Sequence, residues 1–164
     1  MGSGHSRGRV AAALACVALL VSCAPDRVAS RPDDFGILFE TGNGFRLDTF
    51  EGRVTKDLHD GTDSTIALEL TPAELDTLYQ TVRSKRILDL PEPHPAGTPR
   101  GVQPWTTYEM RVRAHGRTRN FQWESGLEGS QEEWKRLRSL MIMIWRMVGR
   151  DSAYRALPPE AMYL

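Results

Sequence analysis

Two helix starts of the same design, each behind a stretch of alternating residues, constrain this chain more than any other feature. Thr71-Pro72-Ala73-Glu74 sets out a capping hydroxyl, a proline that fits the first helical turn, and a glutamate able to close the reciprocal bond. Leu75, Leu78, Tyr79 and Val82 then fall at i, i+3, i+4 and i+7, one stripe facing a core. This pattern predicts a helix ending near Ile87, ahead of Pro91. Ser130-Gln131-Glu132-Glu133 repeats the capping box. Behind it Trp134, Leu137, Met141, Ile144, Trp145 and Val148 share a face, and Gly149 is a natural stop. Residues 140–148 are nearly all apolar yet too few to cross a bilayer, which needs ~20 residues. They predict a core helix in which methionines fill irregular gaps.

The segments before each helix alternate with period two. Phe45, Leu47 and Thr49 alternate with Arg46, Asp48 and Phe50, and Glu51-Gly52 turns the chain into a strand over 53–58. Asp60, Gly61 and Asp63 make the next turn, and Ile66, Leu68 and Leu70 mark a third strand. Tyr108, Met110, Val112 and Ala114 repeat the pattern, His115-Gly116 marks a turn, and Phe121 and Trp123 continue it. The order ββ(β)α-ββα predicts an α+β domain of about five antiparallel strands with two helices packed on one face. Arg111 and Arg113, with Thr118, Asn120 and Gln122, would form the solvated face. The tail from Ala153, with Tyr154 and Leu157, is expected to pack back on the surface.

At 164 residues, 40 % hydrophobic and 26 % charged, the chain reads as one ordinary globular domain. Its 21 basic and 21 acidic residues balance, which argues against a nucleic-acid binder with a strongly basic stripe. Only Lys56, Lys85 and Lys135 among the cations are lysines.

The first residues are an address rather than part of the fold. Arg7 and Arg9 form a positive region, and residues 10–21 are twelve Val, Ala, Leu and Cys residues, the length of a signal-peptide core. Leu20-Val21-Ser22-Cys23 resembles the lipobox of bacterial lipoproteins. That resemblance implies cleavage between Ser22 and Cys23 and a diacylglyceryl group on the Cys23 thiol. Two or more acyl chains anchor stably where one does not. Residues 1–22 then leave as a signal peptide, 23–34 are the lipidated cysteine and a polar tether, and 35–164 are a single domain. Eleven tether residues reach at most ~40 Å. The mature chain, 23–164, keeps 19 basic against 21 acidic residues and no free thiol, since Cys16 departs and Cys23 is consumed. Thiol catalysis, disulfides and cysteine-bound zinc are thereby excluded. Ala24 stands where Asp would resemble an inner-membrane retention signal, which points to the outer membrane, facing the periplasm, in a two-membrane bacterium.

No strong catalytic motif is present: there is no HExxH, GxSxG, GxxxxGK[ST] or strand-borne GxGxxG. The mature histidines are His59, His94 and His115. His59, Asp60 and Asp63 could be imagined as metal ligands, but their spacing does not match an EF-hand, and a turn explains Asp and Gly there. The expectation is no metal, no cofactor and no enzyme activity. Glu109 and Glu124 lie on neighbouring expected strands beside Arg111, Arg113 and Arg119, a pattern more usual in a solvated charge ladder than in a glycosidase pair. Arg111, Arg113, Arg117 and Arg119 make a basic patch near a hairpin tip, suited to anionic headgroups or a polyanion. Residues 89–105 hold Pro91, Pro93, Pro95, Pro99 and Pro104, and a loop of that length is either functional or a passive connector. His94 and Trp105 are its candidate partner-binding residues, with Trp105 readable either as an exposed binding aromatic or as a buried one.

Asp48-Thr49-Phe50-x-Gly52-x-x-Thr55-Lys56-Asp57-Leu58, Leu70-Thr71 with Glu74 and Tyr79, Tyr108 to Val112, and Tyr154-x-x-Leu157-Pro158 are the motifs of a wider pattern. Through them the mature domain resembles a broad group of small uncharacterised bacterial lipoproteins, over most of residues 44–158. More distantly, Gly44-Phe45, the Leu70-Thr71-Pro72-Ala73-Glu74-Leu75 helix start and Leu90-Pro91 resemble emfourin, a small α+β inhibitor of thermolysin-type metallopeptidases. These resemblances imply a noncatalytic, lipid-anchored envelope module that binds an envelope protein partner or serves an accessory role. The alternative they imply is an inhibitor of an exported metallopeptidase.

Overall fold

The computed structural model describes Met1 and residues 30–58, 62–91, 106–124 and 132–158. Within these residues six strands form one antiparallel sheet: β1 (Gly36–Thr41), β2 (Arg46–Asp48), β3 (Arg53–Asp57), β4 (Asp63–Ala67), β5 (Thr107–Ala114) and β6 (Arg117–Glu124). Their spatial order is β4-β3-β2-β1-β5-β6. Helices α1 (Pro72–Ser84) and α2 (Glu132–Val148) cover one face, and a short α3 (Ser152–Ala156) follows. The architecture is the expected α+β one, with six strands instead of about five.

The additional strand is β1, which joins the two halves. It pairs with β2, setting Phe39 opposite Leu47, and with β5, setting Ile37 opposite Val112 and Phe39 opposite Met110. Ile37 and Phe39 are fully buried towards the helices, while Leu38 faces the other side, level with Asp48 and Arg111. An interior strand apolar on both faces shows no alternation, so the run Phe35-Gly36-Ile37-Leu38-Phe39 carries no period-two signal.

The remaining elements follow the sequence with shifted ends. Strand β2 stops at Asp48, because the Asp48 carboxylate accepts bonds from the amides of Phe50 (3.0 Å) and Glu51 (3.1 Å) and so folds residues 49–52 into the turn. The expected Asp60-Gly61 turn lies outside the described residues. Helix α1 carries the full capping box: Thr71 Oγ1 accepts from the Glu74 amide (3.3 Å), and Glu74 Oε2 accepts from the Thr71 amide (2.9 Å). It ends at Ser84, earlier than Ile87, because Arg86 adopts a left-handed backbone (φ 53°). The chain then passes through a 3₁₀ turn, Ile87–Asp89, that drives Ile87 into the core.

In α2 the expected Trp134, Leu137, Met141, Ile144 and Val148 are buried, and Leu140 and Met147 join them. Ser130 and Gln131, half of the second capping box, lie outside the described residues. Helix α2 ends at Val148, immediately before Gly149 as expected, although Gly149 is not left-handed: its amide donates to the Trp145 carbonyl (2.9 Å), and Asp151 then caps α3 through the Tyr154 amide (2.8 Å). Tyr154 packs back as expected, buried against Phe45, with the Lys56 ammonium 5.2 Å from its ring centre. That contact accounts for a lysine buried on the helix-facing side of β3, a desolvated cation over an aromatic face. No helix among the described residues is long and apolar enough to cross a membrane.

Candidate functional site

The turn between β5 and β6 lines a cleft of the domain. Ala114 pairs with Arg117, so the loop is the two residues His115 and Gly116, both with positive φ (54° and 70°), as a type I′ turn requires. Histidine tolerates this region better than most residues, and glycine bears no penalty there. The Asp34 carboxylate holds the turn from outside, accepting from the amides of His115 (2.9 Å) and Gly116 (2.7 Å). These bonds, led by that from Gly116, hold the Asp34 carboxyl below the usual carboxylate range. Arg31 pairs with Asp76 on α1 at 2.9 Å. Arg31 and Asp34, assigned to the tether by sequence, thus lie against the domain.

Inside the turn, His115 Nε2 lies 2.7 Å from the hydroxyl of the buried Tyr79 on α1. Around this pair opens a cleft of about 250 Å³, whose other lining residues are Val82, Arg83, Arg86, Leu88, Asp89 and Arg117. Arg117 Nη2 donates to the Leu88 carbonyl (2.8 Å), as does Arg119 Nε (3.2 Å), which fastens the 3₁₀ turn along the edge strand β6. Asp89 bridges Arg86 (3.2 Å) and Arg117 (3.5 Å), and its pKa is lowered chiefly by the bond from Arg86. A second cleft of about 360 Å³ adjoins through Arg86. It is lined by Ser84, Lys85, Arg86, Glu132, Lys135, Arg136 and Ser139, from the end of α1 and the start of α2. Together the two clefts present six cations and two carboxylates.

This arrangement can bind oxyanions. Among the described residues, those lining the Tyr79–His115 cleft include no serine, threonine, cysteine or lysine beside the histidine. Among the described residues no three His, Cys, Asp or Glu side chains come together in a way that could hold a metal.

Ser22, Cys23, His59, Asp60, His94 and Trp105 lie outside the described residues. Asp63 opens β4 opposite Asp57. Glu109 and Glu124 share the open face without being opposed. Glu124 is level with Thr107, while Glu109 stands between Glu40 and Gln122. Glu40 is paired by Arg46, and Gln122 reaches Glu109 at 3.5 Å. The expected basic patch divides between the two faces. Arg111 and Arg113 lie on the open side, where Arg111 binds Asn120 (3.1 Å) and Arg113 covers the Phe50 ring (4.7 Å). Arg117 and Arg119, in register with Ala114 and Val112, turn to the helix side. Sequence reasoning missed Arg83, Lys85, Arg86, Lys135 and Arg136 as site residues, because no local spacing links the end of α1 to the start of α2.

No family model matches the chain, and no curated protein matches it.

Proposed function

We propose that the protein is a noncatalytic, lipid-anchored module of the bacterial cell envelope that binds an envelope partner or serves an accessory role there. The observation that carries this reading is the positive region, twelve-residue apolar core and Leu20-Val21-Ser22-Cys23 in succession. Arg31 and Asp34 support it, since a chain fixed to the domain a few residues after the cysteine would hold that domain close to the bilayer. The open sheet face, exposed at Glu109, Arg111, Asn120 and Gln122, leaves room for a protein partner.

Cross-linking in the source bacterium, with the full chain in its own membrane, tests the partner role. One envelope protein recovered in stoichiometric yield, and lost when Cys23→Ser prevents lipidation and processing of the chain, is the expected result. Recovery of an exported metallopeptidase that the chain inhibits would establish the emfourin-like alternative. A chain that cross-links to nothing in any envelope fraction contradicts the module.

A further inference from the structure

The two adjoining clefts separate charge in a way the composition conceals. Over residues 23–164 acidic side chains outnumber basic ones by 21 to 19. Arg83, Lys85, Arg117, Lys135 and Arg136 nevertheless gather around the shared Arg86, and among the described lining residues the carboxylates opposing them are Asp89 and Glu132. Arg83, Lys85 and Arg86 form a short run at the end of α1 and Lys135 and Arg136 are neighbours in α2, and the fold brings these two stretches together with Arg117 at the start of β6. The Arg86 and Arg117 side chains are 73 % and 52 % exposed, so their guanidiniums can still reach a ligand. Guanidinium forks suit phosphate oxygens in particular.

The position of the clefts indicates which phosphate they meet. His115 lines the first cleft, and its backbone amide is held by Asp34, the last residue of the segment leading from Cys23. Eight residue steps separate Cys23 from Arg31, at most about 29 Å when fully extended. Resting on the anchored reading above, we propose that these clefts face the bilayer and bind the phosphate-bearing headgroups of anionic phospholipids, setting the orientation of the domain on its membrane. The attraction would be salt-dependent, because both clefts are open to solvent and charges there are screened over ~8 Å at physiological ionic strength.

The full chain, purified in a neutral detergent, is titrated with dihexanoyl phosphatidylglycerol, with dihexanoyl phosphatidylcholine and with inorganic phosphate. Saturable binding of phosphatidylglycerol at least tenfold tighter than of either other probe is expected. Arg86→Gly combined with Arg117→Gln should weaken it at least tenfold, whereas Arg111→Gln, on the opposite face, should change it less than twofold. Arg86→Gly alone separates binding from folding. Glycine relieves the left-handed backbone at that position, so the melting temperature should hold or rise while binding falls. Absence of saturable binding, or binding indifferent to the Arg86 and Arg117 changes, overturns the proposal. Inorganic phosphate binding as tightly as phosphatidylglycerol overturns it in favour of a free-oxyanion site. Intact mass of the same preparation reports on Cys23 separately, so a failed anchor and a failed headgroup site are distinguishable.

Discussion

The Tyr79 hydroxyl lies 2.7 Å from His115 Nε2, so a buried helix residue and a solvent-facing turn residue, 36 positions apart, are joined at the mouth of the basic cleft. Phe35 packs edge-on against the same Tyr79 ring at 5.3 Å. Tyr79→Phe keeps that packing and removes only the bond. It should cost about 0.5–1.5 kcal/mol in denaturant unfolding, near the lower end because water can reach the imidazole. Tyr79→Ala should cost about 3–5 kcal/mol by opening a cavity. Equal losses for the two variants would show that the hydroxyl, and not the ring, holds the turn to α1.

Asp34 makes the hold on the β5–β6 turn dependent on pH. Its carboxylate is favoured in the folded state chiefly by the Gly116 amide, opposed by desolvation, and favoured further by the His115 amide and Arg113. A depressed carboxyl pKa stabilises fully above the unfolded value, about 3.9, and the contribution is lost as pH falls through the lower folded value. The difference in unfolding midpoint between the native chain and Asp34→Asn should therefore be constant from about pH 7 to 5 and close below about pH 4. Amide exchange at Gly116 should accelerate over the same acid range. A difference that instead widened with acid would contradict the assignment.

Two glycines with similar backbone angles should respond differently to a methyl group. Gly116 (φ +70°) has open space where a Cβ would stand, so Gly116→Ala carries only the left-handed penalty of about 1–2 kcal/mol. Gly44 (φ +80°) would place its Cβ 2.3 Å from Asp57 Cβ, so the β1–β2 turn must shift away from β3. Gly44→Ala should cost a further ~1–3 kcal/mol for the overpacking. Paired denaturation curves measure the difference directly, and equal costs would mean that Asp57 yields freely.

These relationships also show what the sequence makes legible. Local signals are strong at Thr71-Pro72-Ala73-Glu74, whose capping box forms in full, and at His115-Gly116, whose turn closes on Ala114 and Arg117. The division of the hairpin arginines follows from that turn as well. A two-residue loop puts Arg117 on the face of Ala114 and leaves Arg113 opposite Thr118. Strand β1 escapes because its run Phe35-Gly36-Ile37-Leu38-Phe39 is apolar without alternation, and the end of α1 is displaced by the backbone of Arg86, a residue with no special left-handed preference. The basic clefts escape for a different reason. Arg83-Ser84-Lys85-Arg86 and Lys135-Arg136 are visible as short basic runs, but their meeting with Arg117 at one corner is tertiary and leaves no periodicity behind.

The central claim is that Cys23 ties this domain to a membrane, and the mass of the N-terminal peptide tests it most directly. The full chain is expressed in a lipoprotein-processing bacterium, recovered from the membrane fraction, and its N-terminal peptide weighed. The account predicts a chain beginning at Cys23 and carrying a diacylglyceryl mass, with Cys23→Ser abolishing both the modification and the cleavage. An unmodified Cys23, or a chain cut elsewhere and released from the membrane, would contradict it.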